Sequence, residues 1–342
     1  MDEAVRNSIQ VFDAVRTHPI LVHTLAWMTT PGIWQLLLCF FASSLLMIFR
    51  LNAVEKNGFE GTLIGTLVMP YFSGFPNLCF AWILIRKNGS GSLVLENCLV
   101  NNITNLTLVL GIPAIVWGIN LYRVKHQEKT DTRINHLSLL LSILALIFFS
   151  LAVFLVARDG RITAFDGMLL VGIFLFWQLY HVFDVLKNNT RLNRRIKKRV
   201  LIDFAIIALC AWGVFASVDH LITWIQTHGK GFFSSANLGF LSGILMVIPN
   251  ALLAIYYAAA NRSEIAYSSQ IGDCHICIPL CLGLFAIFSP ISVSPEFFTA
   301  LFVLIAAASG HLILTLVSGR LPRFAGLAFT GLYVFFLYKE II

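Results

Sequence analysis

Ser268-Ser269-Gln270-Ile271-Gly272-Asp273-Cys274-His275-Ile276-Cys277 is a polar stretch inside an otherwise apolar run near 266–290. A membrane-crossing helix takes about 20 apolar residues, so this run is long enough to be one. Asp273 would lie about seven positions in, or roughly 10 Å deep at ~1.5 Å per residue. A charge at such depth costs about 2.5–3.5 kcal/mol even on a lenient scale. Asp273 must therefore be paired, protonated or open to water, which makes it the most informative residue in the chain.

The run has a counterpart earlier in the sequence. Ile248-Pro249-Asn250, a polar turn at Asn261-Arg262-Ser263-Glu264, the Asp273 stretch and Leu282-Gly283 follow one another in the second half. Phe75-Pro76-Asn77, a turn at Asn88-Gly89-Ser90-Gly91, the stretch Glu96-Asn97-Cys98-Leu99-Val100-Asn101-Asn102-Ile103-Thr104-Asn105 and Leu110-Gly111 do so in the first. Pro76 to Gly111 is 35 steps and Pro249 to Gly283 is 34, so one inserted turn residue aligns them. Proline has no N–H and clashes with the preceding turn. Pro76 and Pro249 are expected to break or kink their helices near the same depth, with Asn77 and Asn250 facing each other.

Composition agrees with a membrane protein. Of 342 residues, 58% are hydrophobic and 12% charged, with mean hydropathy +0.82; soluble domains average about 45–50% apolar and about 25% charged. Apolar runs fall near 33–49, 59–85, 92–120, 137–157 and 165–186, then near 201–226, 236–260, 266–290, 297–318 and 323–340. Backbone polar groups in lipid must be satisfied within the segment, so these are helices. The expected fold is an all-α integral membrane protein of ten transmembrane helices. Residues 1–32 read as an interfacial segment, 33–186 as a first five-helix repeat, 187–200 as a basic cytoplasmic linker and 201–342 as a second repeat. With both termini outside, 16 of the 24 lysines and arginines fall in cytoplasmic segments, as the positive-inside rule requires. An odd number of spans per half makes the repeats inverted, an arrangement common in secondary transporters. The reading is a multi-pass protein of the cell (inner) membrane, with no signal peptide pattern. The net charge of +7 is spread through short gaps between spans, so no nucleic-acid partner is expected; the partners are the lipid bilayer and small inorganic cations.

Two inverted five-helix halves, each with a Pro-Asn inside a span followed by a polar helix, resemble the cation/calcium antiporter superfamily, which includes the sodium/calcium exchangers. In that family a glutamate follows the motif proline in each repeat. The two glutamates meet at the membrane midplane and bind Na⁺ and Ca²⁺ with side chains of a following Gly-Ser-Asn-type helix. The resemblance places the site between the second, third, seventh and eighth spans. Here Asn77 and Asn250 stand at the glutamate positions, Asn101 and Asp273 at the serine positions, and Asn105 and Cys277 one turn later. The hydroxyl position two before each proline holds Gly74 and Val247. Six residues are therefore the candidate cation ligands: Asn77, Asn101, Asn105, Asn250, Asp273 and Cys277.

Ca²⁺ takes six to eight oxygens, generally including carboxylates, whereas one carboxylate balances one monovalent cation. The expected function is a secondary cation antiporter moving Na⁺, H⁺ or both in preference to Ca²⁺, with no resident cofactor. A transporter of a soft metal or neutral solute, and a non-transporting structural descendant, are the alternatives. Cys274, Cys277, Cys281 and His275 suggest a soft-metal cluster, but no matching Cys/His set is expected from the other repeat. His311 is a candidate proton relay or a packing histidine, and Asp219 with His220 an interfacial pair. No nucleotide loop or nucleophile triad has a credible context, so an enzyme is not expected.

Overall fold

The computed structural model describes residues 32–56, 69–121, 129–189, 199–260 and 262–341. The lead-in at 1–31, the start of the second span and most of the basic linker lie outside the described residues.

The first half runs α1 (Ile33–Lys56), α2 (Met69–Ser73), α3 (Phe75–Arg86), α4 (Gly91–Thr104), a π-helical turn (Asn105–Val109), α5 (Leu110–Trp117), α6 (Lys129–Val156) and α7 (Ala164–Asn189). The second runs α8 (Arg199–His228), α9 (Leu238–Ala259), α10 (Ser263–His275), a kinked segment (Ile276–Cys281), α11 (Leu282–Phe288), α12 (Pro295–Ser318) and α13 (Arg323–Ile341). Among the described residues, seven helical segments are long and apolar enough to cross a membrane. The second span is divided into α2 and α3, and the fifth holds a shorter apolar stretch, Ala164–Tyr180. The all-helical expectation needs one small correction: four two-residue strands close the ends of the bundle, β1 (Ile119–Asn120), β2 (Arg161–Ile162), β3 (Ile291–Ser292) and β4 (Arg320–Leu321).

Local sequence explains where the helices begin and end. Ser90 caps α4 by accepting from the Ser92 N–H at 3.3 Å. Asp166 accepts from the Thr163 N–H at 2.8 Å and from its hydroxyl at 2.6 Å, closing the first turn of α7 in the manner of a capping box. Gly319 ends α12 at φ +58°, a left-handed conformation that glycine adopts without steric cost.

The two halves interlock. β1 pairs with β4 and β2 with β3, both antiparallel, so each half contributes one strand to each ribbon. The same exchange governs helix packing. A Cβ on Gly326 would lie 2.6 Å from the Gly111 carbonyl oxygen, and one on Gly167 would lie 2.6 Å from that of Gly283. Thus α13 meets α5, and α7 meets α11, backbone against backbone. Small residues bring membrane helices together in this way because lipid supplies no hydrophobic drive for helices to associate. Outward faces are apolar: Trp34 is 80% exposed, Phe176 76% and Val317 82%, as lipid contact demands.

The matched-break expectation holds for one proline only. The second span breaks at Gly74, and Pro76 enters α3 in its first turn, where no intrahelical bond needs its missing N–H. Pro249 lies inside α9, which runs unbroken from Leu238 to Ala259. The third span instead carries a π-helical turn at Asn105–Val109, an inserted residue that locally disturbs the regular hydrogen-bond ladder, often at functional sites. The eighth span is kinked within Ile276–Cys281, where Ile278 takes extended backbone angles (φ −127°, ψ 112°) ahead of Pro279.

Candidate functional site

Asp273 is fully buried on α10, two residues before the end of that helix, which then kinks at Ile278. Three asparagine amides converge on its Oδ2. Asn105 Nδ2 donates at 2.6 Å, Asn101 Nδ2 at 2.9 Å and Asn250 Nδ2 at 3.3 Å. Asn77 reaches the network at one remove, its Nδ2 donating to Asn101 Oδ1 at 3.3 Å. All four asparagines are buried, and neither Asn77 nor Asn250 turns toward lipid. Asn101 and Asn105 lie one helical turn apart on α4 and its continuation, so they share a face.

The second span comes close because Gly74 has no side chain. A Cβ there would meet Ile276 Cγ2 at 2.6 Å and Asp273 Oδ1 at 3.0 Å. Ser73 contributes a hydroxyl beside the carboxylate. The sequence reading placed that hydroxyl position at residue 74 and missed Ser73; the break of the helix at Gly74 turns the preceding residue inward instead.

Several buried oxygens around this centre accept no hydrogen bond of normal geometry: Asp273 Oδ1, Asn77 Oδ1 and Asn105 Oδ1. Buried polar atoms in folded proteins are nearly always paired, and three unpaired oxygens in one polar cluster are a set of ready acceptors. An amide also exchanges its NH₂ and oxygen by turning about a broad terminal torsion. The arrangement supplies one formal negative charge and several neutral oxygens, which suits a small hard cation.

Cys277 lies at the edge of this cluster, its Sγ 3.3 Å from Asn101 Nδ2. The other repeat holds no matching Cys/His set, but packing brings two of its cysteines here: Cys98 of α4 packs against Cys277 and Cys281, with Cys79 of α3 near Cys281. Tertiary packing brings these thiols together from three separate helices. Among the described residues, no group of three or more His, Cys, Asp or Glu converges to hold a metal ion. Asn102 points away from Asp273 and donates to the Cys274 carbonyl at 3.1 Å.

The structure also places three histidines. His311 Nε2 is 2.7 Å from the Leu106 carbonyl and its Nδ1 2.8 Å from the Tyr267 hydroxyl. His275 Nε2 meets the Ser142 carbonyl at 2.9 Å, and its ring packs edge-on against Phe149 and Trp177. Asp219 does not pair with His220. It bridges Lys87 at 2.6 Å, while His220 Nδ1 meets the Ala216 carbonyl one turn back at 2.8 Å.

The sequence profile of the family described as sodium/calcium exchanger protein matches residues 32–183 and 202–341. Among solved structures, the chain is similar to the sodium-calcium exchanger NCX_Mj soaked with 100 mM Na⁺ and 10 mM Sr²⁺, at 17% identity and TM-score 0.65, covering 91% of this chain and 98% of that one. The same exchanger soaked with 10 mM Na⁺ and no Ca²⁺ matches at 18% identity and TM-score 0.65, with the same coverage. At such identity the likeness speaks for the fold. No curated protein sequence matches.

Proposed function

This chain belongs to the sodium/calcium exchanger protein family, and from that premise we propose that it is a secondary active antiporter of monovalent cations, Na⁺ against H⁺, in a multi-pass membrane setting. The observation that carries this reading is the carboxylate of Asp273, fully buried among four asparagines. An ionised Asp273 balances one Na⁺. Ca²⁺ would leave about one positive charge uncompensated in a medium of low polarity, where an unpaired charge is strongly unfavourable.

Na⁺ arriving at Asp273 displaces amide N–H donors from Oδ2. The amides then turn their oxygens inward, so Asn101, Asn105 and Asn250 change from donors to the carboxylate into acceptors for the cation, and Asn77, released from Asn101 Oδ1, adds its own oxygen. A proton on Asp273 neutralises the same charge, so proton and Na⁺ exclude each other and coupled exchange needs no second acid. Cys277, a soft and weakly acidic neighbour, shapes the edge of the site.

Flux in proteoliposomes tests the reading. Na⁺ uptake should be driven by an outward proton gradient and collapse in Asp273→Asn, while that variant inserts and elutes as a folded protein. Uptake of Ca²⁺ driven by Na⁺, or Na⁺ flux indifferent to Asp273→Asn, would overturn it.

A further inference from the structure

His311 sits far from Asp273 in sequence and makes no bond to it, yet it is built into the same assembly. Its ring is fully buried in α12 and stacks on Phe329 with centroids 4.1 Å apart and planes 5° from parallel. Gly310 leaves room for that stack, since a Cβ there would lie 3.2 Å from Phe329. The ring is thereby held in one orientation.

Both nitrogens are used. Leu106 offers a carbonyl, which can only accept, so Nε2 carries the proton and donates at 2.7 Å. Nδ1 of the neutral ring is then an acceptor, and the Tyr267 hydroxyl donates to it at 2.8 Å. Tyr267 in turn lies 3.3 Å from the Thr315 hydroxyl, which extends the chain of bonds. Each partner is buried.

Its position is what gives it consequence. Leu106 is the second residue of the π-helical turn Asn105–Val109, and Asn105 makes the shortest bond to Asp273. Tyr267 lies on α10, the helix that carries Asp273. One imidazole on α12 therefore ties the turn that presents Asn105 to the helix that presents the carboxylate. We propose that His311 is a positioning residue for the cation site: by holding the Leu106 carbonyl it sets the π-helical turn in the one register that aims Asn105 at Asp273. A glutamine at 311 has an amide NH₂ for Leu106 and an oxygen for Tyr267, so it can stand in for the imidazole. An alanine offers neither.

This inference rests on the proposed cation site, and the two are separated by measuring the brace and the transport independently. Hydrogen–deuterium exchange over 105–111 is compared in the full-length protein, His311→Ala and His311→Gln. Exchange should quicken in His311→Ala and return toward the parent value in His311→Gln. In proteoliposomes, the Na⁺ concentration for half-maximal flux should rise about tenfold in His311→Ala, as for other supporting partners of metal ligands, with a smaller change in maximal rate and recovery in His311→Gln. Tyr267→Phe should shift half-saturation in the same direction by less. Unchanged exchange and unchanged half-saturation in a folded His311→Ala would overturn the proposal, as would a loss of maximal rate alone. Absence of Na⁺ flux in the unsubstituted protein with the exchange difference intact would overturn the transport reading and leave the brace supported.

Discussion

The two repeats share a plan and an asparagine after the motif proline, Asn77 and Asn250, and differ in chemistry at the other site positions. The first brings three neutral amides, Asn77 on a second span that breaks at Gly74 and Asn101 and Asn105 on α4 and the π-helical turn that follows it. The second brings a carboxylate, a thiol and an amide, Asp273, Cys277 and Asn250, with α9 passing unbroken through Pro249. Their frames remain matched: strand ribbons, glycine contacts and an interruption of the polar helix one turn past the site occur in both, as a π-helical turn in the first half and a kink at Ile278 in the second. The duplicated backbone can thus persist while its ligands diverge, because helix packing depends on small residues at contact points and the site depends on a few side chains between them. The charge lies in one half only, and the other half supplies hydrogen bonds that hold it.

That division can be broken most severely at Asp273. Moving the carboxylate to the related position of the other repeat, Asn101→Asp with Asp273→Asn, should restore Na⁺ flux to about a tenth of the parent or more, since a pseudo-twofold site keeps its charge near the centre. Flux assays alongside Asp273→Asn alone, which should lose more than about a hundredfold if electrostatics dominates the site, check this; a double variant as dead as the single would show that the repeats are not interchangeable there.

A second contrast concerns the break at Gly74. Gly74→Val should lower stability by about 1–3 kcal/mol through overpacking against Ile276 and Asp273, seen as a fall in melting temperature in detergent. Val247→Ala at the related position should cost less, because removing two methyl groups in α9 forces no backbone apart.

The frames should respond alike. Gly326→Leu and Gly167→Leu each push a side chain into a facing backbone, and their melting temperatures should fall by similar amounts, also on the order of 1–3 kcal/mol. Unequal losses would mean that the interlocking contacts are less equivalent than their 2.6 Å approaches indicate.

The smallest effect is expected at Cys277. A hydroxyl accepts from Asn101 as the thiol does, so Cys277→Ser should change the half-saturating Na⁺ concentration by no more than about twofold, given that one such bond contributes about 0.5–1.5 kcal/mol and is retained. Titration of flux against Na⁺ measures it, and a change well beyond that would assign the sulfur a direct role.

Much of this was legible in advance for identifiable reasons. An aspartate within an apolar run, and Pro-Asn recurring ahead of a second polar helix, are local signals that survive without coordinates; they marked Asn77, Asn101, Asn105, Asn250 and Asp273, which the structure joins in one network. Ser73 escaped notice because its role depends on where the chain breaks. Cys98 escaped because its neighbours lie on another repeat, and Tyr267 because a tyrosine in an apolar span carries no mark of its bonding partner.

Sequence alone determined that the chain spans a membrane, that its halves are related and that charge at depth centres on Asp273, because hydropathy, repetition and the cost of a buried carboxylate are properties of residues and their order. Only the tertiary structure decided that the seventh span stays whole at Pro249, that a π-helical turn presents Asn105, and that His311 reaches the Leu106 carbonyl. Those outcomes depend on which donors and acceptors from distant segments meet when helices pack, and a freed backbone group shows in the sequence only the need for a partner, never its identity.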